Sequence, residues 1–445
     1  MKTDLCSLSA SELLQLYRTR KASPVEATRA VLDRIGKLNP VLNCFCLVDE
    51  KAALARAKES EARWRKSEPK GLLDGVPASI KDLLLTKGWP TRRGSKTVNP
   101  AGPWNDDAPC VARLREHGAV LVGKTTTPEF GWKGVTDNPL TGITRNPWNP
   151  KMTPGGSSGG STAAVAAGMG PLTVGTDGGG SIRIPCAFTG LFGLKPTFGR
   201  VPAWPLSPFG TVAHVGPITR TVTDAALMMN VLGLPDARDW HALPYDPRDY
   251  RVGLEDGVKG LRVAYSAALG YADVDREVAV LVRRAALQFS ELGAHVEEAD
   301  PGFENAGPIF TAHWFPGAAA LLRSLDGEQL KLVDPGLRDV ARQGARIRTD
   351  LLVTPTLPLA AFGAGREVAN LLKEKRWTDW SPFSYPFNLT QQPAASIPCG
   401  LTRKGLPVGL HIVGPRYADA LVLRAARAYE SIRPIVFPEI SKLKN

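Results

Sequence analysis

Two glycine-rich, serine-bearing stretches lie close together: Gly155-Gly156-Ser157-Ser158-Gly159-Gly160-Ser161 and Gly175-Thr176-Asp177-Gly178-Gly179-Gly180-Ser181-Ile182-Arg183. Glycine lets backbone approach a ligand closely, and a run of glycines before Ser181 can turn consecutive N–H groups inward. That geometry suits the oxyanion of a tetrahedral intermediate, with Gly178, Gly179, Gly180 and the amide of Ser181 as candidate donors. A serine hydroxyl is a weak nucleophile and needs a base. No histidine adjoins either stretch, and His117, His214, His241, His295, His313 and His411 carry no local signature. Lys81, in Gly75-Val-Pro-Ala-Ser-Ile-Lys81-Asp82, follows a short apolar run. Desolvation there would lower its pKa and leave a neutral amine able to take a proton. On these local residues alone an ordinary surface lysine is the readier interpretation.

The elements that must position these residues are legible from start and stop signals. Ser9 with Glu12, and Ser23 with Pro24 and Glu26, are capping boxes opening two helices, so residues 1–70 read as a helical layer. From Gly75 short apolar runs alternate with helical patterns. Strands are expected at Val76–Ile80, Ala119–Val122, Leu172–Thr176, Leu261–Ala264, Leu351–Thr354 and Val408–Val413. Helices are expected at Pro109–Glu116, Val222–Leu232, Glu277–Leu292 and Ala418–Glu430. This alternation predicts an α/β fold with a mostly parallel or mixed sheet covered by helices on both faces. No repeat or long linker divides the chain, so residues 1–445 are expected to form a single large domain, with residues 75–215 as the catalytic core segment.

Composition narrows the class. Apolar residues make up 43% and charged residues 22% of the 445, which supports a large hydrophobic core and excludes a disordered or fibrous chain. The formal charge of +12 is scattered, without a run of like charges, zinc-finger spacing or RNP-like motif, so nucleic acid is not an expected partner. The N-terminal stretch lacks an apolar core of signal-peptide type. The most apolar stretch, Ser161–Gly175, is broken by glycine and too short to span a bilayer, so a cytoplasmic protein without membrane partners is expected. Six dispersed cysteines, with no CxxC pair, suggest reduced thiols in packing roles and no metal site.

The segments GVPASIKD, PGGSSGGS and GTDGGGSIRIP, in this order, resemble the three motifs of the amidase signature family, serine amidohydrolases with a Ser, cis-Ser, Lys triad. The likeness extends from the N-terminal helices through Thr125–Phe130 and Gly193–Pro196 to Gly405–Leu410. It implies Ser181 as the acylated nucleophile, Ser157 as a bridging serine after a cis peptide bond, and Lys81 as terminal base. It further implies a carboxylic amide substrate, water as co-substrate, no cofactor, and room for a homodimer. Asp177 and Arg183, which flank Ser181, are expected to pair across the turn, and Ser158 and Thr153 to hydrogen-bond the relay or its loop. Phe130, Trp132, Trp204 and Trp314, with Phe209, Phe315, Trp377 and Phe383, are candidates for an apolar acyl or aryl pocket, which favours aryl or arylalkyl amides.

Two features depart from the family pattern. Gly178 stands where many members carry a larger residue, and the connection from Gly344 to Leu351 is short at a place where a further helical stretch is expected, near the substrate entrance. Other readings compete. The same triad could serve the glutaminase-type subunit of a tRNA-dependent amidotransferase. Gly155–Gly159 and Gly156–Gly160 satisfy G-x-S-x-G, yet the irregular Asn146–Pro154 precedes them where a Ser-His-Asp esterase needs a strand. A phosphate-binding loop at Gly155–Thr162 would require lysine where Ser161 stands.

Overall fold

The computed structural model describes residues 4–300, 305, 307–346, 352–357, 361, 372, 394–403, 407–413 and 419–432. The chain divides into two compact units, residues 1–346 and 347–445. In the first, helices α1 (Ala10–Arg18), α2 (Pro24–Leu42) and α3 (Glu50–Lys66) surround strand β1 (Phe45–Val48) in sequence. Both expected capping boxes are present, with Ser9 and Glu12 closing α1 and Ser23 and Glu26 closing α2.

The segment expected to carry the chemistry follows. Strands β2 (Pro77–Lys81), β3 (Val120–Thr125), β4 (Asp137–Asn138), β5 (Gly142–Ile143), β6 (Leu172–Asp177), β7 (Phe192–Gly193) and β8 (His214–Thr219) are interspersed with α4 (Pro109–Glu116), α5 (Gly159–Ala166), α6 (Arg183–Thr189) and α7 (Val222–Leu232). Six strands join one sheet in the order β1-β3-β2-β6-β8-β7. The pairs β3/β2 and β2/β6 are parallel, and the pairs β1/β3, β6/β8 and β8/β7 are antiparallel, so the sheet is mixed, as expected.

Alternation of side chains along the strands separates two cores. Ala78, Ile80, Leu121 and Val174 pack against Leu13 of α1, Val111 and Leu114 of α4 and Leu227 of α7. Val120 and Val122 point the other way, towards Val31 and Ile35 of α2, Ala57 of α3 and Ala163 of α5. Helices thus cover both faces. α5 lies close enough to β3 that a Cβ on Gly160 would sit 2.2 Å from Thr126 Oγ1, so glycine is required there.

The first unit continues through β9 (Arg262–Tyr265), α8 (Arg276–Glu291) and β10 (His295–Glu298), with β9 and β10 pairing in parallel. It ends in α9 (Gly307–Leu322), α10 (Gly327–Leu332) and α11 (Pro335–Arg346). The second unit contains β11 (Leu352–Pro355), β12 (Ala394–Leu401), β13 (Pro407–Val413) and α12 (Asp419–Ile432). β11 and β12 flank β13 in antiparallel pairing, and Val422 of α12 packs on Ile397 and Ile412. All the strands and helices expected by position are found within three residues of their expected ends. Helices α6, α10 and α11 were not anticipated, nor was the helix α9. Its sequence is apolar nearly throughout and contains Pro316, so it offers neither an amphipathic period nor an uninterrupted helical run. Residues 347–351, within the short connection, lie outside the described residues. Among the described residues no helix is long and apolar enough to cross a membrane, and all six cysteines are unpaired.

A buried carboxylate helps to fasten the N-terminal layer to the core. Asp224, fully buried in the first turn of α7, accepts hydrogen bonds from the amides of Ala10 (2.8 Å) and Ser11 (3.0 Å) and from Ser11 Oγ (2.7 Å). It thereby satisfies the free N–H groups of α1 across 213 residues of chain. Asp224→Ala should lower stability in urea unfolding by about 2–3 kcal/mol, against about 1 kcal/mol for Ser23→Ala, which removes only a local cap.

Candidate active site

The site gathers where β2, β3 and β6 end. β2 and β6 are parallel neighbours, so Lys81 and Asp177, their last residues, emerge at one edge of the sheet, and Thr125 closes β3 beside Lys81. Such carboxyl ends of adjacent strands are where α/β proteins place their ligands. Ser157 and Ser158 lie immediately before α5, and Ser181 immediately before α6. The hydroxyls therefore ride on loops held by the N-termini of two helices.

Lys81 is completely buried and has three hydroxyl neighbours: Ser157 Oγ at 2.6 Å, Thr176 Oγ1 at 2.8 Å and Ser158 Oγ at 2.9 Å from Nζ. Burial holds its amine well below the ordinary lysine range, against the pull of the Asp177 carboxylate, which favours the charged form. An ammonium would donate to all three oxygens. The neutral amine has two N–H groups and one lone pair. Ser158 Oγ already donates its own proton to the carbonyl of Thr176 (3.2 Å), so it accepts from Lys81. The second N–H and the lone pair are then shared between Thr176 and Ser157, and Ser157 makes the shortest contact of the three.

The peptide bond Gly156–Ser157 is cis, as the resemblance implied. The loop around it is tied down by Thr136, whose hydroxyl donates to the carbonyl of Gly155 (2.8 Å) and accepts from the amide of Gly159 (3.1 Å). Thr153, expected to support this loop, accepts the Gly155 amide at 3.0 Å and does not reach the relay. Gly131 lies against the site, since a Cβ there would stand 3.4 Å from Ser157 Oγ.

Ser181 is almost buried, and its carbonyl accepts the Ser158 amide at 3.1 Å, which joins the two serine loops through their backbones. Among the described residues its hydroxyl makes no hydrogen bond, and the Ser157 and Ser181 hydroxyls are not hydrogen-bonded to each other. Active-site contacts of this kind commonly tighten in the substrate complex. Neither serine bonds a histidine; His214, which does approach this loop, places Nδ1 beside the carbonyls of Val212 (2.8 Å) and Asp177 (3.2 Å).

Asp177 and Arg183 pair as expected, with Arg183 Nε at 2.9 Å and Nη2 at 3.0 Å from the carboxylate. Burial pushes the Asp177 carboxyl up, but the Arg183 guanidinium and the amides of Gly180 and Ile182 outweigh it, and its pKa ends below the ordinary value. This pairing corrects one expectation. The Gly180 amide donates to Asp177 Oδ1 at 2.7 Å, so it is not available to an oxyanion. Gly178, Gly179 and Ser181 retain amides that bond no acceptor among the described residues, and these three form the candidate oxyanion hole.

The aromatic candidates separate. Trp314 of α9 is the centre of a cluster with Phe209, Phe130, Trp132 and Phe315. Its ring stacks on Phe209 at 3.8 Å, and its Nε1 donates to the Trp132 carbonyl at 3.0 Å. Trp204 belongs elsewhere: it is not part of this cluster and stacks beneath the Arg238 guanidinium at 4.8 Å. Trp377 and Phe383 lie outside the described residues. Sequence reasoning missed Thr176, Thr136 and Phe310. Thr176 adjoins Asp177 within the second glycine stretch, and its β-strand placement was the available signal. Among the described residues no group of three His, Cys, Asp or Glu side chains gathers to hold a metal.

The family model described as Amidase matches residues 26–343 and 337–423, breaking beside the short 344–351 connection. An acylamidase of Rhodococcus erythropolis is 38% identical over 460 positions, covering 96% of each chain. A glutamyl-tRNA(Gln) amidotransferase subunit of Myxococcus xanthus is 36% identical, covering 96% of this chain and 97% of that one. Among solved structures, a bacterial aryl acylamidase of the amidase signature family superimposes with a TM-score of 0.71 at 33% identity, covering 96% of each chain. A 6-aminohexanoate cyclic dimer hydrolase superimposes with a TM-score of 0.70 at 28% identity, covering 97% of this chain and 98% of that one. The protein is therefore an amidase, a hydrolase of carboxylic amide C–N bonds. It belongs to the amidase signature family.

The depressed lysine has a measurable consequence. With its folded pKa below its unfolded value, Lys81 takes up a proton on unfolding wherever pH lies between the two, so it makes stability rise with pH across that window. Urea melts at about pH 7 and about pH 9 should show a shallower rise for Lys81→Met than for wild type, the difference reaching at most about 1.4 kcal/mol per pH unit. Equal slopes would contradict a neutral lysine in the folded state.

Proposed function

We propose that this amidase hydrolyses aryl or arylalkyl amides through an acyl-enzyme on Ser181, with Ser157 as proton relay and Lys81 as base. The carrying observation is the buried lysine, with Nζ 2.6 Å from Ser157 Oγ and with Ser158 and Thr176 as its other hydroxyl neighbours. The similarity to an acylamidase and to an aryl acylamidase supports the substrate class.

In the first half-reaction Ser181 Oγ adds to the amide carbon, its proton passes to Ser157, and the Ser157 proton passes to Lys81. The carbonyl oxygen, now negative, sits among the amides of Gly178, Gly179 and Ser181; each such donor is commonly worth about 10²–10³ in rate. As the C–N bond breaks, the proton on Lys81 returns through Ser157 to the leaving nitrogen, which departs as ammonia or amine. Water then adds to the acyl-enzyme by the same relay, releases the acid and restores Ser181. Asp177 orients the glycine loop by holding the Gly180 amide and is itself held by Arg183. Arg183 is thus a positioning residue in this scheme.

A second reading has a specific observation behind it, the similarity to the glutamyl-tRNA(Gln) amidotransferase protein of Myxococcus xanthus. In that reading glutamine is the substrate and a partner protein is needed.

Intact mass after incubation with a fluorophosphonate should show one adduct on wild type and none on Ser181→Ala. Lys81→Ala should lose several orders of magnitude in kcat/KM, and Ser157→Ala nearly as much. Full hydrolysis by Lys81→Ala would sink the relay. In a panel of benzamides, anilides, indole-3-acetamide and glutamine, turnover of glutamine alone would favour the amidotransferase reading.

A further inference from the structure

The glycines at 178 and 179 are not required by backbone conformation. Neither has a positive φ, so the main chain there would accept alanine. What excludes a side chain is α9. A Cβ on Gly178 would lie 2.7 Å from Cζ3 of Trp314, and a Cβ on Gly179 would lie 2.6 Å from Cζ of Phe310. Real Cβ atoms do not approach other atoms so closely, so the two rings occupy the volume that side chains at 178 and 179 would need. Phe310 and Trp314 are four residues apart and share one face of the helix. Their rings stack at 5.3 Å with planes inclined by 22°.

The two ends of this aromatic pair differ. Trp314 is buried, stacked on Phe209 and anchored by its hydrogen bond to the Trp132 carbonyl. Phe310 remains 37% exposed while touching the loop that carries two of the three free amides. A substrate whose carbonyl oxygen reaches the amides of Gly178 and Gly179 comes within reach of the Phe310 ring, which touches Gly179.

We propose that α9 is a specificity element of the amidase site. Trp314 and Phe310 stand in the space left by the absent side chains of Gly178 and Gly179, and the exposed face of Phe310 receives a planar aryl substituent of the amide. This rests on the amide-hydrolase site proposed above and adds the residues that read the substrate. The specificity is coupled in size: a side chain at 179 competes with the ring at 310, so the two positions are set together. Phe310 acts through contact with the aryl group and takes no part in proton transfer.

The test is a double-substitution cycle of Gly179→Ala and Phe310→Ala in the full chain, read by melting temperature and by substrate preference. Preference is the kcat/KM ratio of benzamide to cyclohexanecarboxamide, and of acetanilide to N-cyclohexylacetamide. Phe310→Ala removes a half-exposed ring, so the fold is retained. It should lower an aryl-to-cyclohexyl ratio by about 2- to 10-fold. A fall in the benzamide ratio places the aryl group on the acyl side, and a fall in the acetanilide ratio places it on the amine side; either supports the proposal. Gly179→Ala alone should lower the melting temperature by about 2–6 °C and depress turnover of all four amides. Both losses should shrink when Phe310→Ala is added, because the added methyl then has room. Unchanged ratios in Phe310→Ala, or losses from Gly179→Ala that are the same in both backgrounds, would overturn the proposal while leaving the hydrolytic site intact. A wild type that turns over none of the four amides would remove the aryl-amide reading itself, and the specificity element with it.

Discussion

Everything in this site depends on an amine taken out of water and given three hydroxyls in exchange. Charging Lys81 in that position costs solvation that serine and threonine only partly return, so the interior favours the neutral form. A neutral lysine is a base, and one held at 2.6 Å from Ser157 Oγ is a base with a near neighbour to deprotonate. The proposed chemistry follows from the hydroxyls around Nζ: Ser158, whose proton goes to the Thr176 carbonyl, accepts, and Ser157, the nearest, is placed to give its proton.

The scaffold is arranged so that this amine cannot escape to solvent. Directly after Lys81, the buried Asp82 faces the buried Lys124 at 3.4 Å, and Lys124 also donates to the Leu84 carbonyl (2.8 Å) and to Thr91 Oγ1 (2.7 Å). Burial raises the Asp82 pKa and lowers that of Lys124, so the pair is held by its geometry rather than by favourable solvation. It fixes the turn that follows β2 and with it the last residue of the strand. On the other side, the buried Glu129 accepts from Ser95 Oγ (2.6 Å) and from the Asp334 amide (2.6 Å), tying the loop beside Gly131 to the start of α11. The start of α11 is thereby joined to the loop that lies against Ser157. A polar network buried to this degree works only when its members are mutually satisfied.

Much of this was legible in the residues. Capping boxes at Ser9 and Ser23, and strand–helix alternation from Gly75 onward, place Lys81 at a strand end, and the mixed sheet follows from the same pattern. The Asp177–Arg183 pair was readable from two opposite charges bracketing a tight turn. Three features were not. The commitment of the Gly180 amide to Asp177 depends on the path of the turn, which a row of glycines leaves open. The role of Thr176 as a partner of Lys81 is a contact across neighbouring strands, fixed by register and not by spacing along the chain. The placing of Phe310 and Trp314 against Gly178 and Gly179 joins positions more than 130 residues apart on a helix whose uniform apolarity hides its facing. Trp204 shows the converse: an aromatic residue near the motifs in sequence packs with Arg238 and not with the cluster.

Whether a neutral Lys81 drives acylation of Ser181 is tested most directly by the pH dependence of the second-order rate of fluorophosphonate labelling, measured on wild type and on Lys81→Ala. The wild-type rate should rise with pH through an ionisation below the ordinary lysine range and then level, and this rise should be absent from the much slower variant. The same rise in Lys81→Ala would contradict a lysine base and assign the titrating proton to another group.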